Sequence, residues 1–358
     1  MSDKPTFRTF PCLRPFGWLY GFVTSLRNRL YDRGIFSSYT AGTPVISIGN
    51  ITAGGTGKTP HTEYLVNLLR ERYRVAVLSR GYGRRTRGYI QITETSTAAE
   101  VGDEPLQMSR KFSDVTFAVC EKRAEGIQRL CGTAAPDVII LDDAFQHRAV
   151  TPSLNILLIN WNRDILKDRM IPEGLLRESA DGRGRADIIV VTKYPEEGGT
   201  QNAAYRNELA LSDNQELYFS RYEYPDLLPY EPDGKPRALE SVGSGTSVLL
   251  ATGIASPGLI KEELERHKAS VSSLRFADHH NFSINDIRSI EAAAARLTGS
   301  DRIAVITEKD VARLQNAAIS PELRKILYIL PVKVRILGDS AAFDKRITEH
   351  IEEFRKGI

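Results

Sequence analysis

The stretch NITAGGTGKTPH, Asn50 to His61, decides how the rest of the chain is read. It has the make-up of a phosphate-binding loop, with Thr52 where the usual pattern opens on glycine. An apolar strand, PVISIGN from Pro44 to Asn50, leads into it, and a helical pattern runs from Lys58 to about Glu71. A strand, a glycine turn and a helix opening on Lys-Thr is the context such a loop needs. Its backbone N–H groups and the helix N-terminus cradle phosphate oxygens. Thr52, Ala53, Gly54, Gly55, Thr56 and Gly57 form the expected cradle. Lys58 reaches the β- and γ-phosphates, and the Thr59 hydroxyl helps hold Mg²⁺. Pro60 is tolerated because first-turn N–H groups have no helical partner.

Outward from the loop, continuous apolar strands alternate with helical patterns: RVAVLSRG, VTFAVC, DVIILDD, LNILLI and DIIVVTK. Runs of this kind indicate a parallel, doubly wound sheet whose ligands lie beyond the carboxyl ends of its strands. The fold class expected is α/β: a P-loop NTPase-like sheet, a second, smaller α/β domain, and an N-terminal amphipathic helix. The expected divisions are an N-terminal helix over 1–38, a kinase domain over 39–215, a linker over 216–235 and the smaller domain over 236–358.

DVIILDD ends in Asp142 and Asp143, where a P-loop enzyme holds its metal. Two adjacent carboxylates repel, and a cation relieves them. VVTKYP, Val190 to Pro195, imitates the guanine-selecting [NT]-K-x-D sequence, but Pro195 replaces the base-reading carboxylate. Partitioning-type ATPases carry a lysine one residue before the paired glycines, and Ala53 stands there instead. A phosphotransferase using ATP remains.

Composition is that of a soluble globular protein, 41% hydrophobic and 26% charged. A net charge of +3 and the lack of a base-reading motif give no argument for nucleic acid. Cys12, Cys120 and Cys131 form no C-x-x-C pair, which suits a reducing compartment. From Phe10 to Arg33, Leu19, Phe22, Val23, Leu26 and Leu30 recur at helical spacing beside Trp18 and Tyr20, bracketed by Arg14, Arg27, Arg29 and Arg33. The run is broken too early to span a bilayer. It suits either a membrane interface or a first helix packed on the core.

The segments PVISIGNITAGGTGKTP, LSRGYGR, VGDEP, LDDAFQHR, PEGLLRES, TGIASP, FADHHNF and ITEKD occur in this order. In this the chain resembles the tetraacyldisaccharide 4′-kinases over nearly its whole length. Thr52 agrees with that family's own loop variant, whereas Ala144 stands where the family usually has glycine. The resemblance implies transfer of the γ-phosphoryl of ATP, with Mg²⁺, to the 4′-hydroxyl of an acylated glucosamine disaccharide 1-phosphate, giving lipid IV-A. It implies a peripheral place on the cytoplasmic face of the bacterial inner membrane and no protein partner. By motif, Asp103 of VGDEP is the expected catalytic base and His279 of FADHHNF its partner, with Arg123, Gln146, Arg177 and Glu178 as further site residues. Asp103 also follows a glycine at a helix start, where a capping role is common. The competing class is a membrane-surface P-loop switch ATPase.

Overall fold

The computed structural model describes residues 10–195, 202–254, 257–277, 280, 282–314 and 318–357. Helix α1 spans Arg14–Asp32; strand β1 (Val45–Asn50) and helix α2 (Lys58–Leu69) flank the glycine loop. There follow β2 (Val75–Ser79), β3 (Ile90–Gln91), α3 (Ala98–Val101), α4 (Asp103–Lys111), β4 (Thr116–Val119) and α5 (Arg123–Thr133). Next come β5 (Val138–Asp142), β6 (Leu154–Asn160), β7 (Ile188–Thr192), α6 (Asn202–Glu208), β8 (Glu216–Glu223) and β9 (Leu228–Pro229). The chain continues through β10 (Thr246–Thr252), α7 (Gly258–Arg266), β11 (Ser270–Arg275), α8 (Ile284–Ala295), β12 (Asp301–Thr307) and α9 (Glu308–Leu314). It ends with α10 (Pro321–Ile326), β13 (Leu327–Leu330), β14 (Lys333–Leu337) and α11 (Ser340–Lys356).

The described residues form two compact units, 1–222 with 334–358, and 223–333. In the first, a nine-stranded sheet runs β14-β8-β7-β6-β1-β5-β2-β4-β3. From β8 through β4 the pairings are parallel, and β3 joins β4 antiparallel. Every residue of β1, β2, β5 and β7 is buried, which explains their continuous apolar sequence: both faces are covered. In the second unit, β11-β10-β12-β13 are parallel, β9 closes the sheet antiparallel, and helices α7 to α10 belong to the same unit.

Two of the expected divisions are corrected. The segment 216–235 is not a plain linker, because β8 is a strand of the first sheet and β9 a strand of the second. The smaller unit does not run to the C-terminus: the chain returns at Val334 to the first unit. The reason is apolar burial. Val334, Ile336, Phe343, Ile347 and Ile351 join the core beside Ile188 and Val190, with Phe343 set edge-on to Tyr64 and Tyr218.

Helix α1 is held against the first unit by one face. Gly17 is buried there, and a Cβ on it would stand 3.2 Å from the Met170 carbonyl, so the lack of a side chain eases the close approach. Arg14 donates to Glu173 at 3.1 Å, Asn28 to Glu178 at 3.0 Å, and Arg148 to Asp32 at 2.7 Å. The other face leaves Phe16, Trp18, Leu19, Phe22, Val23 and Leu26 exposed, Trp18 by 73%. The reading of a helix packed on the core is met on one face, and the other face is exposed.

Candidate active site

Between β1 and α2 the backbone turns through left-handed conformations at Gly54 (φ 74°), Gly55 (φ 55°) and Gly57 (φ 86°). The loop is pinned by polar groups at the ends of buried strands. Asn50 donates to the Thr56 hydroxyl, Thr192 to the Thr56 carbonyl at 2.9 Å, and Asn160 to the Gly55 carbonyl at 3.3 Å. Thr52 explains itself by position. Its backbone bridges to Leu176, Ala53 N–H donates to the Leu175 carbonyl at 2.7 Å, and Arg177 N–H to the Ile51 carbonyl at 2.8 Å. The mouth of the loop is therefore extended backbone, which a β-branched residue suits and which needs no glycine.

Register places the acids beside this turn, since β1 pairs with β5 so that Ile48 faces Asp142. Asp142 is buried and accepts from Thr62 at 3.2 Å and Ser79 at 3.1 Å. Burial, with Glu104 and Asp143 close by, pushes its carboxyl up to about 6. Asp143, at φ 47°, is half-buried; its carboxylate lies 3.7 Å from the Lys58 ammonium and accepts from Arg177 at 3.1 and 3.2 Å. The Thr59 hydroxyl donates to Glu104 at 3.3 Å. Asp142 and Asp143, with Glu104 close by, offer carboxylate oxygens of the kind that suit a divalent cation. Among the described residues no group of three or more such ligands cages a metal. Mg²⁺ needs no such cage, because phosphate oxygens and water complete its shell around one or two carboxylates.

Beside the acids lies a cavity of about 270 Å³. Arg80, Arg123, Asp143, Gln146, His147, Arg177 and Glu178 line it from the sheet side, and Tyr20, Thr24, Arg27 and Asn28 from helix α1. The expected further site residues are therefore gathered in one place. Their hydrogen bonds divide them, however. Arg123 is buried and donates to the carbonyls of Cys120 at 2.6 Å and Asp142 at 3.1 Å; burial lowers its pKa to about 10. Glu178 accepts from Gln146, Asn28 and Arg185, so it ties the helix to the loop after β5. Arg27 is bonded to the Gln146 carbonyl.

Asp103 is the first residue of α4, following Gly102 at φ 89°, and its neighbour Glu104 meets Thr59. His279 lies outside the described residues, while His280 next to it pairs with Asp286 at 3.0 Å and stacks on Phe276. Sequence reasoning missed Glu104, Ser79, Thr62, Asn160 and Thr192. A signal existed for three of them: Ser79, Asn160 and Thr192 are polar residues ending apolar strands.

A central strand entering this turn, with acids closing the strand next to it, makes the chain a P-loop nucleotide-binding protein. The sequence model of the family described as tetraacyldisaccharide-1-P 4′-kinase matches residues 9–352. The tetraacyldisaccharide 4′-kinases of Bacteroides thetaiotaomicron and Parabacteroides distasonis are 44% and 46% identical to it, each over 98% of this chain and 96% and 97% of their own. The structure of LpxK from Aquifex aeolicus in complex with ATP superposes with a TM-score of 0.74 at 29% identity, covering 95% of this chain and 99% of that one. The chain belongs to the tetraacyldisaccharide 4′-kinase family.

Proposed function

We propose that this chain transfers the γ-phosphoryl of ATP, as the Mg²⁺ complex, to the 4′-hydroxyl of an acylated glucosamine disaccharide 1-phosphate. The observation that carries this reading is the ion pair of the loop's Lys58 with Asp143, beside the buried Asp142, with Asp143 lining a cavity rich in arginine. Lys58 and the loop amides offset phosphate charge. Asp142 and Asp143 would hold Mg²⁺, which would supply charge neutralisation at the transferred phosphoryl group. Asp103 takes the hydroxyl proton, oriented by His279.

The acceptor carries acyl chains, so its sugar is presented at a bilayer surface. Among the described residues no helix is long and apolar enough to cross a membrane. The exposed apolar face of α1, next to the cavity that its other residues line, suits contact with the lipid surface from the side of the substrate. Family membership disfavours the switch ATPase, which would release phosphate to water.

The test is transfer of label from γ-³²P ATP to the purified disaccharide acceptor in mixed micelles. Lys58→Ala is expected to lower turnover by ~10²-fold or more, with an unchanged thermal melt. Label appearing only in inorganic phosphate would overturn the kinase reading.

A further inference from the structure

We propose that Asn28 of helix α1 is a positioning residue for the glycine loop, acting through Glu178 and Gln146, an assignment that rests on the kinase reading above. Hydrogen bonds join the helix to the turn in sequence. Asn28 Nδ2 donates to one carboxylate oxygen of Glu178 at 3.0 Å, and Gln146 Nε2 donates to the other at 2.9 Å. The same Gln146 amide donates to the Asn50 carbonyl. Asn50 is the last residue of β1, and its own amide donates to the Thr56 hydroxyl inside the loop. The path begins on α1 and ends in the phosphate cradle.

Its middle is stiff. Glu178 is buried, and Arg185 donates at 2.8 Å to the oxygen that Asn28 also reaches. Shifting a buried carboxylate with three donors is costly, because each lost bond leaves a polar group unpaired. Arg27 is bonded to the Gln146 carbonyl, so two consecutive residues of the helix hold one glutamine, by its main chain and by its side chain. The loop that carries Gln146 presses on β1, where a Cβ on Gly49 would stand 2.8 Å from the Phe145 backbone nitrogen. The same loop carries Asp143, 3.7 Å from the Lys58 ammonium. A displaced Gln146 is therefore felt on both sides of the cradle, at Asn50 and at Asp143.

Anchorage of α1 does not depend on Asn28. Gly17 packs against Met170 and Arg14 donates to Glu173 near one end of the helix, and Arg148 holds Asp32 at the other. Asn28 is half-buried, and its contribution is a donor aimed at Glu178.

The test is titration of Mg–ATP into the full chain without acceptor, so that contact between Asn28 and the acceptor plays no part. Asn28→Ala is expected to raise the dissociation constant about fivefold, the scale of one hydrogen bond, with an unchanged thermal melt. Asn28→Asp has the same size but sets a second carboxylate against Glu178, and is expected to weaken ATP more than Asn28→Ala does. In a Gln146→Ala background, where the path is already cut, either change should cost less than about a further twofold. Should Asn28→Ala melt early, Asn28→Asp carries the comparison. Equal losses in the two backgrounds would make Asn28 a general support of the fold and overturn the inference. Unchanged ATP binding by both variants, with only the KM for the acceptor raised, also overturns it. A wild-type chain that binds no Mg–ATP overturns the kinase reading instead.

Discussion

Arg177 directs one guanidinium nitrogen at both carboxylate oxygens of Asp143, at 3.1 and 3.2 Å. The Lys58 ammonium stands 3.7 Å from the same carboxylate. Asp143 is therefore shared between two cations. When phosphate draws Lys58 away, Arg177 still competes with Mg²⁺ for the acid. Arg177→Ala is expected to lower kcat while reducing the Mg²⁺ concentration for half-maximal turnover by up to about fivefold, the worth of a half-exposed ion pair near 1 kcal/mol. A Mg²⁺ titration of initial rates reads both, and an unchanged or higher requirement would remove Asp143 from the metal site.

Asp103 and His279 are expected to serve one step. The double variant Asp103→Asn/His279→Ala should then be little slower than the poorer single variant. Single-turnover rates measure this directly, and fully multiplicative losses would separate the two residues.

The exposed face of α1 predicts lipid binding without a structural role for its side chains. Trp18, Leu19 and Phe22 are 73%, 62% and 65% exposed, so replacing all three by glutamine should leave the melting temperature unchanged. Sedimentation with anionic vesicles is expected to fall about tenfold or more, since each buried large apolar side chain is worth ~1.5 kcal/mol or more. Because Arg14 and Arg27 are bonded within the protein, salt should act mainly through Arg29 and Arg33. Undiminished pelleting of the triple variant would place the anchor elsewhere.

His61 predicts a pH dependence of stability. Its Nδ1 donates to the Gly57 carbonyl at 2.7 Å, and Nε2 meets the Ser220 hydroxyl at 2.8 Å, which can donate to a neutral ring. Burial holds its pKa near 4, below the ordinary 6.5. The unfolded chain binds the proton more readily, so stability falls as pH drops from 6.5 towards 4. Asp142 acts oppositely: raised to about 6 from 3.8, it favours the folded state as pH falls through that window. His61→Asn keeps a donor for Gly57 and does not titrate. Urea unfolding should show the wild-type advantage over this variant shrinking by roughly 3 kcal/mol between pH 7 and 4, at about 1.4 kcal/mol per pH unit of difference in pKa. Parallel stability curves would show that His61 is not buried as a neutral ring.

What residues Asn50 to His61 determine alone is local: an apolar strand, left-handed turns that glycine permits, and a helix start that attracts phosphate. Such features need only neighbours in the chain, and so do the buried strands, whose apolar runs state that both faces are covered. Tertiary structure decided the rest, because contact between distant segments leaves no periodic trace. Nothing local shows that Thr52 pairs with Leu176, or that Phe343 and Ile347 return the C-terminal helix to the first unit. Glu104 is only the next residue after a candidate base in the sequence, and the fold alone brings the Thr59 hydroxyl to it. The aromatic helix near the N-terminus shows the division most plainly. Its spacing established one apolar stripe, but only packing of Gly17 against Met170 determined which side faces the protein and which is left for solvent or lipid.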